Sequence, residues 1–180
     1  MTAVGKIVVV GATGLIGAKV VDILTANGQQ VLPASRRTGV DVLTGDGLTD
    51  ALRGARVVVD VTDSPSYEET ALMNFFTTST ANLLAAEQAA DVAHHVALSV
   101  VGADRMPDSG YMRAKVAQES RIGTSGVAYT ILRATQFYEF AGGIADSCAD
   151  GDTVRLQRIV TRVHKRLVIV RQRRMRRSPY

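Results

Sequence analysis

Cysteine is almost absent from this chain of 180 residues: Cys148 stands alone, so no internal disulfide can form. That usage suits a reducing compartment. No apolar run reaches the length of a membrane span. The first residues lead straight into a short apolar segment without a long apolar stretch and cleavage site, so no secretory leader is expected. These absences make a soluble, cytoplasmic protein the expectation. Metal-ligand spacing is missing too: His94 and His95 have no Cys or carboxylate partner at a suitable interval, and no metal site is expected. Acidic residues are lacking from one region only. Residues 157–180 hold nine Lys/Arg and no Asp or Glu, whereas residues 1–156 hold 12 Lys/Arg and all 17 Asp/Glu. The formal net charge of +4 therefore belongs to the tail. The body is a mildly acidic domain, not a uniformly basic nucleic-acid binder.

What is present is an alternation of strand and helix patterns. Lys6–Val10 is a β-branched run too continuous to have a wet face, as in a buried parallel strand. A helix is predicted from Leu15 to about Ala26, closed by Asn27-Gly28. Further strands are predicted at Gln30–Ala34, weakly at Val40–Leu43, and at Arg56–Val61, His95–Ser99 and Ala128–Leu132. Between them fall a short helix around Asp50–Arg53, a long one from near Glu68 to Ala90, and one over Tyr111–Ile122; a last helix spans roughly Glu139–Cys148. Such alternation predicts an α/β fold with right-handed crossovers and a doubly wound, Rossmann-like parallel sheet in a single domain over residues 1–156.

Gly11-Ala12-Thr13-Gly14-Leu15-Ile16-Gly17 lies between the first strand and the first helix. Glycine permits the tight turn and lets the backbone approach a pyrophosphate without a Cβ in the way. The helix then aims its free N–H groups and positive dipole end at the phosphates. Gly17, one turn inside the helix, allows close packing on the strand. The spacing is G-x-x-G-x-x-G, and a dinucleotide cradle is favoured over a purely structural turn. At the end of the second strand, an Asp or Glu would accept the adenosine ribose hydroxyls and repel a 2′-phosphate. Here Ser35, Arg36 and Arg37 supply a hydroxyl and two guanidinium groups instead, which favours NADPH over NADH; the bland alternative is an exposed basic loop. Asp46 is placed either to meet the adenine or to cap the helix after it. Thr62, just past the fourth predicted strand, either passes beside the cofactor or only ends the strand.

Tyr111 and Lys115 are four residues apart and so share one helix face. An ammonium near a phenol favours the phenolate, which would suit Tyr111 to donate a proton to a carbonyl receiving hydride, while Lys115 can also hold the nicotinamide ribose. Ser99, at the carboxyl end of a strand, is placed to hydrogen-bond a substrate oxygen, although a serine at a strand end is commonplace.

The order of Gly11-Ala12-Thr13-Gly14-Leu15-Ile16-Gly17, Ser99, Tyr111-x-x-x-Lys115 and Leu132-Arg133-Ala134-Thr135 resembles the short-chain dehydrogenase/reductase superfamily. The loop spacing and the Leu132–Phe137 segment are similar to its atypical NmrA-like, NAD(P)H-binding branch. The resemblance covers residues 5 to about 156. It implies NAD(P)H-dependent oxidation or reduction of a small molecule, carbonyl or quinone-like, with Ser99, Tyr111 and Lys115 in the family's catalytic positions. It also implies that Thr135–Phe140 can line the nicotinamide and substrate pocket. Within that branch some members resemble quinone reductases, and others resemble redox-sensing regulators that bind the dinucleotide without turnover. The motif set supports cofactor binding more strongly than catalysis.

The family resemblance also implies a continuation that finishes the sheet edge and the substrate pocket, which the change of character at Gln157 interrupts. The preferred expectation is a frameshifted or otherwise altered ending, leaving the C-terminal part incomplete and the chain an inactive truncated reductase in the extreme case. The competing reading is a basic arm for nucleic acid or anionic lipid. Oligomeric state is not legible in the sequence.

Overall fold

The computed structural model describes residues 5–135, Phe137, and the short strand segments 149–150, 153–154 and 168–172. Five parallel strands form the sheet: β1 (Lys6–Val10), β2 (Val31–Ala34), β3 (Ala55–Asp60), β4 (His94–Val100) and β5 (Tyr129–Ala134). The helices are α1 (Leu15–Ala26), α2 (Leu48–Leu52), α3 (Glu69–Ala89) and α4 (Gly110–Thr124). Strands β6 (Ala149–Asp150) and β7 (Thr153–Val154) form a separate two-stranded ladder. Strand β8 (Val168–Gln172) joins the main sheet, whose order is β2-β1-β3-β4-β5-β8.

The sequence pattern explains this layering. In β1 only the first residue is partly open, because helices cover both faces of the central strands. One face packs Ile7 and Val9 against Val20, Val21 and Leu24 of α1. The other face packs Val8, Val10 and Val58 against Leu52 of α2 and Leu83 of α3, and continues through Ala97 and Ile131 to Ile122 of α4. Burial in α3 falls on Leu72, Phe75, Phe76, Ser79, Thr80, Leu83, Leu84 and Glu87, the stripe expected at 3.6-residue spacing. Its first turn is fixed by Glu68, whose carboxylate accepts from the Thr70 and Ala71 amides. The chain leaves β1 for β2 on one side and crosses to β3 on the other. The crevice beyond β1 and β3 is therefore the topological switch point, where open α/β sheets bind ligands.

One predicted strand is corrected. Val40–Leu43 is not a strand: left-handed glycines at Gly39 and Gly45 bracket it, and the Asp41 carboxylate accepts the Leu43 amide at 2.8 Å, a local turn that competes with ladder pairing. The segment forms a loop beneath β2 instead. Within the tail, Val168–Gln172 pairs antiparallel with β5. The predicted helix over Glu139–Cys148 lies outside the described residues. Among the described residues no helix is long and apolar enough to cross a membrane.

Candidate cofactor and active site

Gly11 sits at the point where β1, β2 and β3 end together. Its amide donates to the Ala34 carbonyl at 2.9 Å, and its φ of +83° lies in the left-handed region. A β-carbon there would come 2.8 Å from the Val61 carbonyl oxygen. Gly17 presses onto the same turn from inside α1, where a β-carbon would meet the Gly11 carbonyl. Gly14 is the residue before α1 and offers no side-chain cap; the helix's first turn contains no acid. Its leading N–H groups are therefore uncapped at the crevice, the arrangement that suits an anion.

A cleft of about 310 Å³ opens from this turn. Gly11, Thr13 and Gly14 form its floor, and Ser35, Arg36 and Arg37 form one wall. Ser35 is locked locally: its amide donates to Thr38 Oγ1 at 2.8 Å, and that hydroxyl donates back to the Ser35 carbonyl at 2.9 Å. The short turn this creates projects Arg36 and Arg37 outward, both exposed and without an ion pair among the described residues. Thr62 lines the opposite wall, its amide and hydroxyl both donating to Asp60 Oδ1, at 2.9 and 2.7 Å. Ala12 is buried, and Leu15 and Ile16 belong to α1 rather than to the cleft lining.

Asp46 is exposed, outside the cleft wall, and its carboxylate accepts the Thr44 hydroxyl at 2.8 Å. It does not cap α2 as one alternative expected, because the residue before that helix is Gly47, with no side-chain cap. Asp41 and Val42 line the cleft instead. So does Asp63, the neighbour of Thr62 in the turn after β3.

Asp63 connects the cleft to Tyr111. It accepts the Tyr67 hydroxyl at 3.1 Å, and its charge acts on the Tyr111 phenol. Burial first, and the Asp63 charge second, push the Tyr111 phenol well above its ordinary value. This differs from the expectation that Lys115 lowers it. The Lys115 side chain is buried, donates to the Leu98 carbonyl at 2.8 Å and to Gln118 Oε1, and lies 4.4 Å from the centre of the Phe76 ring. Phe76 in turn meets Tyr111 edge to face at 5.9 Å, so one ring packs against both side chains. Burial pushes the ammonium down to about 8, against the nearby charges of Asp60, Asp63 and Glu119.

Ser99 is buried on the β4 face that looks toward α4, and its hydroxyl donates to Glu119 Oε1 at 2.5 Å. Glu119 also receives two guanidinium bonds from Arg133, at 2.9 and 2.6 Å, and Arg133 reaches Asp104 at 2.7 Å. The structure thus brings Tyr111 and Lys115 around Phe76, and engages Ser99 with Glu119 one turn further along α4. Of the Thr135–Phe140 stretch, only Thr135 and Phe137 are among the described residues. Those residues contain no group of three or more His, Cys, Asp or Glu able to hold a metal.

A glycine cradle at the switch point of a doubly wound sheet, opening onto a cationic wall, defines a dinucleotide-binding Rossmann-like domain. The chain belongs to the NAD(P)H-binding family whose model matches residues 11–162, within the extended short-chain dehydrogenase/reductase and NmrA-like group. It is 26% identical over 164 residues to the photosystem II assembly factor Ycf39 of Cyanophora paradoxa, covering 83% of this chain and 51% of that one. A short-chain dehydrogenase/reductase superfamily protein from Agrobacterium tumefaciens with bound NAD superposes with a TM-score of 0.57 at 25% identity, over 71% of this chain and 48% of that one. The Citrobacter sp. triphenylmethane reductase complexed with NADP(H) gives a TM-score of 0.60 at 22% identity, over 79% and 55%. The chain spans about half the length of the relatives it matches.

Proposed function

We propose that this chain is an NADPH-dependent reductase of a small carbonyl or quinone-like compound. One observation carries the reading: Arg36 and Arg37, exposed and without ion pairs among the described residues, line the same cleft as the glycine cradle. The fit is steric and electrostatic. The cradle is space a β-carbon would fill, the uncapped N–H groups of α1 suit a pyrophosphate, and two guanidinium groups suit a 2′-phosphate better than a bare ribose. Several solved neighbours carry NAD and one carries NADP(H), so the preference for NADPH rests on the two arginines alone.

Bound there, the dinucleotide supplies a hydride. Tyr111 supplies the proton: burial and the Asp63 charge keep its hydroxyl protonated at neutral pH, and the alkoxide that hydride addition to a carbonyl creates is basic enough to take that proton. Lys115 shares the Phe76 ring with Tyr111 and so helps hold the phenol in place. Ser99 acts through Glu119, holding α4 against β4 so that Tyr111 keeps its place.

A second reading keeps the binding and omits the turnover. The observation behind it is that the ammonium of Lys115 and the hydroxyl of Ser99 are both committed to protein partners. Tyr111→Phe separates the two. Under the enzyme reading, NADPH affinity is retained while NADPH oxidation with quinone and aldehyde substrates falls at least about a hundredfold. Bound NADPH with no oxidation in the unsubstituted chain across such a panel overturns the enzyme reading and leaves the binding one.

A further inference from the structure

The loop that replaces the missing strand raises a question of backbone accounting. A strand at Val40–Leu43 would satisfy its carbonyls from a neighbouring strand; a loop has to find donors elsewhere. Within the loop, the Asp41 amide donates to the Asp46 carbonyl at 2.9 Å and the Gly45 amide to the Asp41 carbonyl at 2.9 Å. The Val42 and Leu43 carbonyls point away from that closed turn. Both are taken by one side chain, Asn82 of α3, whose amide nitrogen donates to Val42 O at 3.0 Å and Leu43 O at 2.8 Å. Asn82 lies 40 residues further along the chain, so this is a tertiary tie between the helix layer and the loop. It is anchored on both sides: Leu83, the next residue of α3, is buried in the same cluster as Val40, and Val42 packs against that cluster and against the one containing Phe75 and Phe76.

Val40, Asp41, Val42 and Leu43 line the same cleft as Gly11, Gly14 and the two arginines. With pyrophosphate on the glycine turn and the 2′-phosphate on Arg36 and Arg37, this loop is the wall left for the adenosine half. We infer that Asn82 is a positioning residue for that half of the dinucleotide: it touches no ligand, and it fixes the loop whose side chains do. The inference rests on the dinucleotide reading above. It adds a specificity element that lies outside the glycine motif and outside the cleft, on the far side of the loop.

The test uses the full chain with Asn82→Leu, which matches the side chain's size and removes the donor, and Asn82→Asp, which matches its shape and offers an acceptor. Three ligands are titrated directly: NADPH, adenosine 2′,5′-bisphosphate and reduced nicotinamide mononucleotide. The expected result is that NADPH and the bisphosphate weaken about tenfold in both variants, as for loss of a pair of hydrogen bonds, while the mononucleotide is unchanged. Amide exchange over residues 41–46 accelerates in the ligand-free variants, a readout independent of any cofactor. Unchanged affinity, or an equal loss for both halves, overturns the positioning role. An unsubstituted chain that binds neither NADPH nor the bisphosphate overturns the dinucleotide reading itself. Should Asn82→Leu fail to fold, Asn82→Asp and the exchange measurement decide the matter.

Discussion

A β-carbon on Gly17 would come 2.8 Å from the Gly11 carbonyl carbon, and closer still to its oxygen. The third glycine of the motif is thus fixed by the first, through backbone that has no flexible end to move aside. This contact sets how tightly α1 seats on the turn that ends β1, and so where its uncapped N–H groups stand.

Gly17→Ala is therefore expected to act on both stability and binding. Forcing α1 off the turn costs about 3 kcal/mol, the upper end of ordinary overpacking. Urea denaturation reads the stability loss, and NADPH titration of the remaining folded protein reads the affinity loss. Gly28→Ala is the contrast. Gly28, unlike the helical Gly17, has a positive φ, but nothing lies within 4 Å of its missing side chain, so its substitution carries only the backbone strain and leaves cofactor binding intact.

Lys115 gives a pH signature. Its ammonium titrates near pH 8 in the folded chain and near 10.4 when unfolded, because burial outweighs its acidic neighbours. Between those values the unfolded chain binds the extra proton, so stability from this group rises with pH. Below about pH 8 both states are protonated and the buried charge is a constant cost. Relative to Lys115→Met, the unsubstituted chain should therefore gain about 2 kcal/mol as the pH climbs from 8 to 10. Paired denaturation curves at several pH values check this; a difference that stays flat across the window contradicts the assigned burial.

Much of this was legible in the residues, and the exceptions share a cause. The β1 run, the glycine turn and the α3 and α4 faces are encoded by local pattern, and the structure reproduces them within a residue or two. Val40–Leu43 carries strand-like residues, yet the left-handed glycines on either side and the Asp41 side chain make a turn cheaper than a ladder. The Ser99 position was readable from the strand end, but not its partner, since Glu119 reaches it only after α4 folds back across β4. Asp63 shares the turn of Thr62 past β3, but its bond to Tyr67 and its charge beside Tyr111 depend on segments that only the fold brings together. Asn82 gave no signal at all: a polar residue inside a long helix reads as solvated until the loop it holds is in place. The pairing of Val168–Gln172 with β5 was not legible, because the basic charge of the tail masks a short apolar run at Leu167–Val170.

The central claim is that the cleft selects NADPH through Arg36 and Arg37. Its most direct test is parallel titration of NADPH and NADH, by cofactor fluorescence, against the unsubstituted chain and the Arg36→Ala/Arg37→Ala double variant; with no tryptophan in the chain, protein emission interferes little. The account predicts that NADPH binds at least about tenfold more tightly than NADH, and that the gap closes in the double variant through loss of NADPH affinity alone. Equal affinities in the unsubstituted chain, or a gap that survives removal of both arginines, would contradict it.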